Sequence, residues 1–202
     1  MDDPEAYFSR KKTYGFNIQA ICDWDRKFIW EFMGHTASVQ DSTAFKSSDL
    51  YRNPGKYFDP EEYVLADKAY GLERHVIMPY KEPASRLDIN TAFNYQLSIP
   101  RVKIEHAFGI LKARWRTIHD IPVHIDMDKD KGHKRVINWT MACVVIHNIL
   151  HSMRDNEEWL GYGDNREVEI GNVLEEQESN AEGKHAGTRR REELRDLINL
   201  SL

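Results

Sequence analysis

The sequence is poor in cysteine and has no long apolar run, and both absences narrow what the chain can be. Cys22 and Cys143 are its two cysteines, far apart and each set in apolar surroundings. That excludes a disulfide framework and leads us to expect reduced core thiols in an intracellular protein. No Cys/His quartet has the spacing of a structural zinc site. No uninterrupted apolar stretch approaches the length of about 18 residues that a bilayer demands, so no membrane span is expected. The start, Met1-Asp2-Asp3-Pro4-Glu5, is acidic where a secretory signal is basic and then apolar. No internal repeat is visible.

Basic excess is lacking too: the net charge is −5, which taken alone argues against nucleic acid. The average conceals a division. Residues 154–182 carry ten acids and two bases, whereas residues 1–153 carry 21 bases and 20 acids. The acidity therefore belongs to a tail. Between Arg101 and Arg116 there are five bases and one acid. Because charge is screened over a Debye length of roughly 10 Å, such a local patch outweighs the total. The 202 residues are 41% hydrophobic and 11% aromatic, enough for one cored domain with or without a tail.

Strand formers dominate residues 13–22 and alternate in part, Asp23-Trp24-Asp25-Arg26 reads as a turn, and Lys27 to Met33 as a second strand, giving a hairpin. After a loop to Gln40, Asp41 or Ser42 is placed to cap a short helix ending near Leu50, before Asn53-Pro54-Gly55. Tyr63 to Ala66 is a short apolar strand ending at Asp67, and His75 to Met78 is another, stopped by Pro79. The polar stretch Lys81 to Ile99 reads as irregular. Pro100 suits the first position of a helix running to about Ile118, with Ile104, Phe108, Leu111, Trp115 and Ile118 on its buried stripe. Beyond a loop at 120–134, Arg135 to Met153 is apolar nearly all round and reads as a central buried helix. Residues 155–185 have the composition of disorder. Leu194, Leu197, Ile198 and Leu200 suggest a short amphipathic C-terminal helix. The expected organisation is an α/β domain over 1–153, an acidic tail over 154–187 and a helix over 188–202.

Two carboxylates stand out. Asp67 closes a buried strand, where α/β sheets present groups to a ligand crevice. Glu105 lies on the long helix, on a face that also carries Arg101, Gly109, Lys112 and Arg116. An acid that holds a metal, among bases that hold phosphates, is the equipment of phosphodiester chemistry. Position alone also allows plainer roles: Asp67 as a turn residue, Glu105 in an ion pair with Arg101, and the basic stripe as a solvated face. Trp24, Trp30 and Trp139 read as core or turn aromatics, His106 and His119 as helix-surface residues. Arg189-Arg190-Arg191 reads as a solvated helix start, or as a weak nuclear-import or phosphate patch.

Three ordered blocks carry a family resemblance. Arg10-Lys11-Lys12-Thr13-Tyr14-Gly15-Phe16-Asn17-Ile18-Gln19-Ala20-Ile21-Cys22-Asp23, followed by the loop Gly34 to Ser42, is the first. Leu65-Ala66-Asp67-Lys68-Ala69-Tyr70-Gly71, followed by Met78-Pro79-Tyr80, is the second. The third runs from Phe93-Asn94 to Trp115 and includes Arg101-Val102-Lys103-Ile104-Glu105-His106-Ala107-Phe108-Gly109-Ile110-Leu111-Lys112. His147-Asn148 adds a further match. The set, over about residues 3–153, resembles the DDE catalytic domain of the PIF/Harbinger transposase-derived nucleases. The resemblance implies an RNase H-like mixed sheet with flanking helices. It implies Asp67 and Glu105 as catalytic metal ligands, for Mg²⁺ or Mn²⁺, and Arg101, Lys112 and Arg116 as nucleic-acid contacts. It also implies DNA as substrate, a nuclear location and, in some members, a separate DNA-binding protein.

The chain departs from the family in two places. His35 and Gln40 stand where Ser and His are common. The family's first catalytic Asp lies in an Asp-Gly-Thr motif upstream of the first block, and no Asp-Gly-Thr occurs in this sequence. We therefore expect the first, central strand to be lacking and catalysis to be weak or absent, with Asp2, Asp3 and Asp23 as possible substitutes. A domesticated, non-catalytic nucleic-acid- or protein-binding domain is the alternative.

Overall fold

The computed structural model describes residues 7, 15–118, 121, 129–153 and 181–200. The expected acidic stretch 155–180, Asp2, Asp3 and His119 lie outside these residues. The chain forms two compact units, one of residues 1–19, 35–101 and 170–202, the other of residues 20–34 and 102–169.

The second unit is built on the turn end of a hairpin, the second half of a long helix and a further helix. Strands β1 (Phe16–Cys22) and β2 (Phe28–Thr36) pair through the expected turn. Asp23 holds that turn: its carboxylate accepts from the Lys27 N–H at 2.9 Å and its carbonyl from the Arg26 N–H at 3.1 Å. Arg26 takes the left-handed backbone conformation there, φ 70°. Helix α3 (Asp88–Arg114) and helix α4 (Lys129–Ser152) supply the rest. Phe28, Ala107, Leu111, Cys143 and Val144 form the buried cluster, with Ala20, Cys22, Ile104, Phe108, Trp115 and Ile118 packed against it. The stripe read from the sequence is thus the packed one, although the helix ends at Arg114 and Arg116–Ile118 is a 3-10 turn. Cys22 and Cys143 are both free thiols, and burial, then Asp23, pushes Cys22 up to about 11.

His147 and Asn148 join α4 to the hairpin. The Asn148 side-chain amide donates to the Phe28 carbonyl at 2.7 Å, and its oxygen accepts from the Phe28 N–H at 3.0 Å. One side chain thereby satisfies both backbone groups that the outer edge of β2 presents there. His147 is fully buried and its Nε2 donates to the Arg26 carbonyl at 3.3 Å.

Helix α4 is not buried all round. Val136, Thr140, Cys143, Val144 and His147 face inward, while Trp139, Val145, Ile146, Ile149, Leu150 and Met153 are exposed. The apolar residues of the expected central helix therefore divide between a packed face and an open one. Trp139 is a surface residue that donates to Thr117 at 3.3 Å, not a core aromatic.

The first unit contains helices α1 (Asp41–Ser47) and α2 (Asp49–Arg52), strands β3 (Val64–Leu65) and β4 (Val76–Ile77), the first half of α3, and helix α5 (Ala181–Leu200). Gln40, not Asp41 or Ser42, precedes α1, so Asp41 sits in its first turn, where the helix dipole favours an acid. Ser48 separates α1 from α2: its hydroxyl donates to the Phe45 carbonyl at 2.7 Å and accepts from the Tyr51 N–H at 3.2 Å. Strands β3 and β4 are parallel, Val64 opposite Val76 and Leu65 opposite Ile77.

Three expectations change here. The described residues form two separate two-stranded sheets, not one mixed sheet. After Leu65 the Asp67 turn diverts the chain, and after Ile77 comes Pro79, so each parallel strand is only two residues long. Lys81 to Ile99 is not wholly irregular: α3 begins at Asp88 and encloses Pro100. Pro100 lacks the N–H that the Gln96 carbonyl would accept, a loss offset by apolar packing on the turns before it. Ile77, Tyr80, Phe93 and Leu97 form that cluster, with Leu65, Leu194 and Ile198 against it. Finally, α5 starts at Ala181, ahead of the expected 188.

Asn94 resembles Asn148 in function, accepting from the Tyr80 N–H at 2.8 Å and donating to the Tyr80 carbonyl at 3.1 Å. Each asparagine replaced by alanine leaves a backbone N–H and C=O without their partner, so Asn148→Ala and Asn94→Ala should each cost about 2 kcal/mol. Urea denaturation checks this: the midpoint should fall with an unchanged slope.

Candidate active site

Asp67 follows β3 directly and is half-buried. One of its carboxylate oxygens accepts from the Ala69 N–H at 2.7 Å, and its carbonyl from the Tyr70 N–H at 3.4 Å. This is an Asx-type turn, which fixes the direction of the carboxylate. The plain turn role read from the sequence is therefore real, and it is compatible with a ligand role for the other oxygen.

Tyr70 connects Asp67 to a residue the sequence reading treated only as a cap. Its phenol is held above its ordinary pKa by burial first, then by Asp41 and by Asp67. Both acids thus act on one buried ring, which stacks edge-on against Phe45 at 5.5 Å. Asp41 is positioned by β1: the Asn17 side chain donates to its carboxylate at 2.7 Å, and Gln19 donates to its carbonyl. The signal was available, since Asn17, Gln19 and Asp41 all fall in the first block. It was missed because an acid at a helix start has a sufficient local explanation.

Glu105 is exposed on α3 and belongs to the second unit, whereas Asp67 belongs to the first. Among the described residues no group of three or more His, Cys, Asp or Glu side chains is gathered as a metal cluster. The five bases from Arg101 to Arg116 have different surroundings. The Lys103 ammonium lies 5.0 Å from the centre of the exposed Trp24 ring, and that of Lys112 6.0 Å from Phe108. Arg114 turns toward α4: its guanidinium lies 3.4 Å from His147 Nδ1 and 3.5 Å from the His147 carbonyl, and burial lowers its pKa. Arg101 and Lys112 are half-buried, and Arg116 is exposed in the turn after α3.

Asp67 is thus a carboxylate fixed by its own turn just beyond a parallel strand of the first unit. Comparison with known proteins places the chain in a class: residues 1–148 match the DDE superfamily endonuclease family, and the chain belongs to it. Among curated proteins it is 26% identical over 164 residues to a Protein ALP1-like of Arabidopsis thaliana, covering 75% of this chain and 39% of that protein. It is 22% identical over 144 residues to the Putative nuclease HARBI1 of Xenopus laevis, covering 71% of this chain and 40% of that protein. The family match agrees with the resemblance carried by the three blocks. The chain spans about two fifths of the length of these relatives. No solved structure matches it. No helix among the described residues is long and apolar enough to cross a membrane.

Beside the basic turn, His147 makes the second unit sensitive to acid. Burial, then Arg114 and His151, lower its pKa to about 4, against the opposing effect of the Arg26 carbonyl. An unfolded chain protonates this imidazole near 6.5. Between these values the unfolded state holds the extra proton, so stability is complete above pH 6.5, declines as pH falls to about 4, and changes no further below that on account of this group. The difference in melting temperature between the native chain and His147→Gln should therefore shrink across that window.

Proposed function

We propose that the chain is the phosphodiester-cutting part of a metal-dependent DNA endonuclease of the transposase type, with an RNase H-like arrangement. Asp67 and Glu105 are its carboxylate ligands, and Arg101, Lys112 and Arg116 are its phosphate contacts. The observation that carries this reading is Asp67 itself: within the matched region, its carboxylate is fixed by a turn at the C-terminal end of a parallel strand. The Xenopus relative's name, a putative nuclease, agrees.

Hard carboxylate oxygens fit Mg²⁺ or Mn²⁺, and Mg²⁺ is commonly held by one or two carboxylates with water completing its shell. When bound, such an ion polarises the phosphate and activates the attacking water or hydroxyl. The protein's own contribution is to orient two acids and to neutralise flanking phosphates. Asp41 adds negative charge and the neutral Tyr70 a partly buried wall beside Asp67, an environment that favours a cation. A nuclear location and reliance on a separate DNA-binding protein extend the same reading.

With Asp67 and Glu105 as its only assigned carboxylates, cutting by this chain alone should be slow. Mispositioning of about 1 Å already costs on the order of 100-fold. In a plasmid-nicking assay with Mg²⁺ or Mn²⁺ the chain should match its Asp67→Asn, Glu105→Gln double variant. Mn²⁺ should nevertheless broaden the NMR signals of Asp67 and Glu105 in the native chain and not in that variant. Absence of broadening at both residues in the native chain would sink the metal-site reading. DNA binding unaffected by metal would then favour the non-catalytic alternative.

Binding to DNA should be weak, since few bases are presented and each phosphate contact contributes about −0.9 to the log–log salt slope. Changing the nine acids between Asp155 and Glu178 to their amides removes competition for those bases and should tighten binding. Fluorescence anisotropy decides this, and an unchanged or weaker affinity would refute the competition.

A further inference from the structure

The C-terminal helix joins the first unit through contacts that surround the Asp67 strand on both sides in sequence. Gly187 of α5 is buried against the backbone of Glu73: a Cβ built there would lie 2.7 Å from the Glu73 carbonyl carbon and 2.8 Å from its oxygen. No side chain fits in that space. One turn earlier, a Cβ on Gly183 would meet only the flexible Glu73 carboxylate, whose other oxygen lies 3.3 Å from the Tyr51 hydroxyl. The glycine pair lets the helix lie on the connection between β3 and β4.

Two arginines extend the contact. Arg190 donates to the Glu61 carbonyl at 3.0 Å, pairs with its carboxylate at 2.7 Å and lies 5.8 Å from the centre of the Tyr63 ring. The Arg191 guanidinium sits 3.9 Å over the ring of buried Tyr80. Leu194 and Ile198 pack against the cluster of Ile77, Tyr80, Phe93 and Leu97, which Leu65 also joins. The arginine triplet is therefore mostly engaged with its own unit, and Arg189 is its exposed member.

We infer that α5 is a positioning clamp for Asp67. It touches Glu61 and Tyr63 before β3, Glu73 between the strands, and Tyr80 after β4. A parallel pair of two residues each has too few ladder bonds to be stable alone, and parallel strands need cover. Of its cross-strand bonds, Val64 N–H to the His75 carbonyl and Ala66 N–H to the Ile77 carbonyl are 2.9 and 2.8 Å long, and Asp67 follows immediately. Cover from α5 is what keeps these bonds, and so the direction of the Asp67 carboxylate, in place. The clamp rests on geometry within one unit, and its consequence for metal binding rests on the function proposed above.

The test compares the native chain with Gly187→Val, which forces the helix off Glu73, and with Gly183→Ala, which asks only a side chain to move. Amide hydrogen exchange over residues 64–70 and 75–77 should quicken at least tenfold in Gly187→Val and little in Gly183→Ala. The amides of Cys143 to Asn148, in the other unit, should be unchanged. Should Gly187→Val fail to fold, Arg190→Ala with Arg191→Ala removes the clamp without a clash and should show the same local loosening. Equal exchange in native and clamp variants would overturn the inference. Mn²⁺ affinity should weaken about tenfold in step with the loosening, and loosening with unchanged affinity would refute the positioning role. If the native chain binds no Mn²⁺, the metal reading fails and the positioning of a metal ligand with it, while exchange still decides whether α5 clamps the strands.

Discussion

The second unit depends on the pair His147–Asn148. A two-stranded hairpin leaves one row of backbone groups on each outer edge without strand partners, and such edges must be satisfied or exposed to water. Asn148 meets that requirement at Phe28 by offering a donor and an acceptor from one amide. His147 meets it just before Phe28 in the chain, at the carbonyl of Arg26, which takes a left-handed backbone in the turn. Both residues come from one helix turn, so the hairpin can approach α4 only in one register. The apolar cluster around Phe28 then forms as a consequence of that register, with the Phe28 ring 5.2 Å from Phe108 and 5.1 Å from His147.

The first unit solves a related problem by a different route. Its strands are too short to define an edge, and the backbone around them is tied by side chains and helices: Asn94 at Tyr80, Asp67 at Ala69, α5 at Glu73. The carboxylate of interest is part of this fastening. Asp67 gives one oxygen to its own turn, which removes rotational freedom before any ligand arrives. A group ordered in advance loses less entropy on binding, so this turn would favour the ligand role proposed for Asp67.

Much of this was legible in the sequence, for identifiable reasons. The hairpin showed because strand formers flank an Asp-rich turn, and the Ile104–Phe108–Leu111 stripe showed because helical spacing is periodic. Asp67 and Glu105 were singled out by place and by the ordered blocks around them. The first turns of α3 were missed because Pro100 suggested a start, while Asn90, Phe93, Asn94 and Leu97 carried a weaker helical spacing among polar neighbours. The open face of α4 was missed because composition reports how apolar a helix is and not how many partners it has. Gly183 and Gly187 were unreadable as a docking surface, since a glycine pair in a polar stretch signals close approach only once the opposing backbone is known.

The charges of the chain are compatible with the polyanionic substrate proposed for it. A net charge of −5 repels DNA at long range, but screening confines the relevant field to the neighbourhood of each group. The two groups of charged residues have opposite characters. Around Tyr70, burial first and then the charges of Asp41 and Asp67 raise the phenol's pKa, and the two acids make an environment that repels phosphate and favours a cation. Along the second half of α3 and the turn after it, bases outnumber the single acid, and Arg116 is exposed to solvent. A phosphodiester can approach acids of the first kind only when a cation reverses their sign, and it can approach the second kind without one. Under the proposed function, metal dependence and phosphate recognition therefore fall to different residues, and substitutions at Asp67 and at Arg116 should affect DNA contact through different terms, the first through the cation and the second through salt-sensitive attraction.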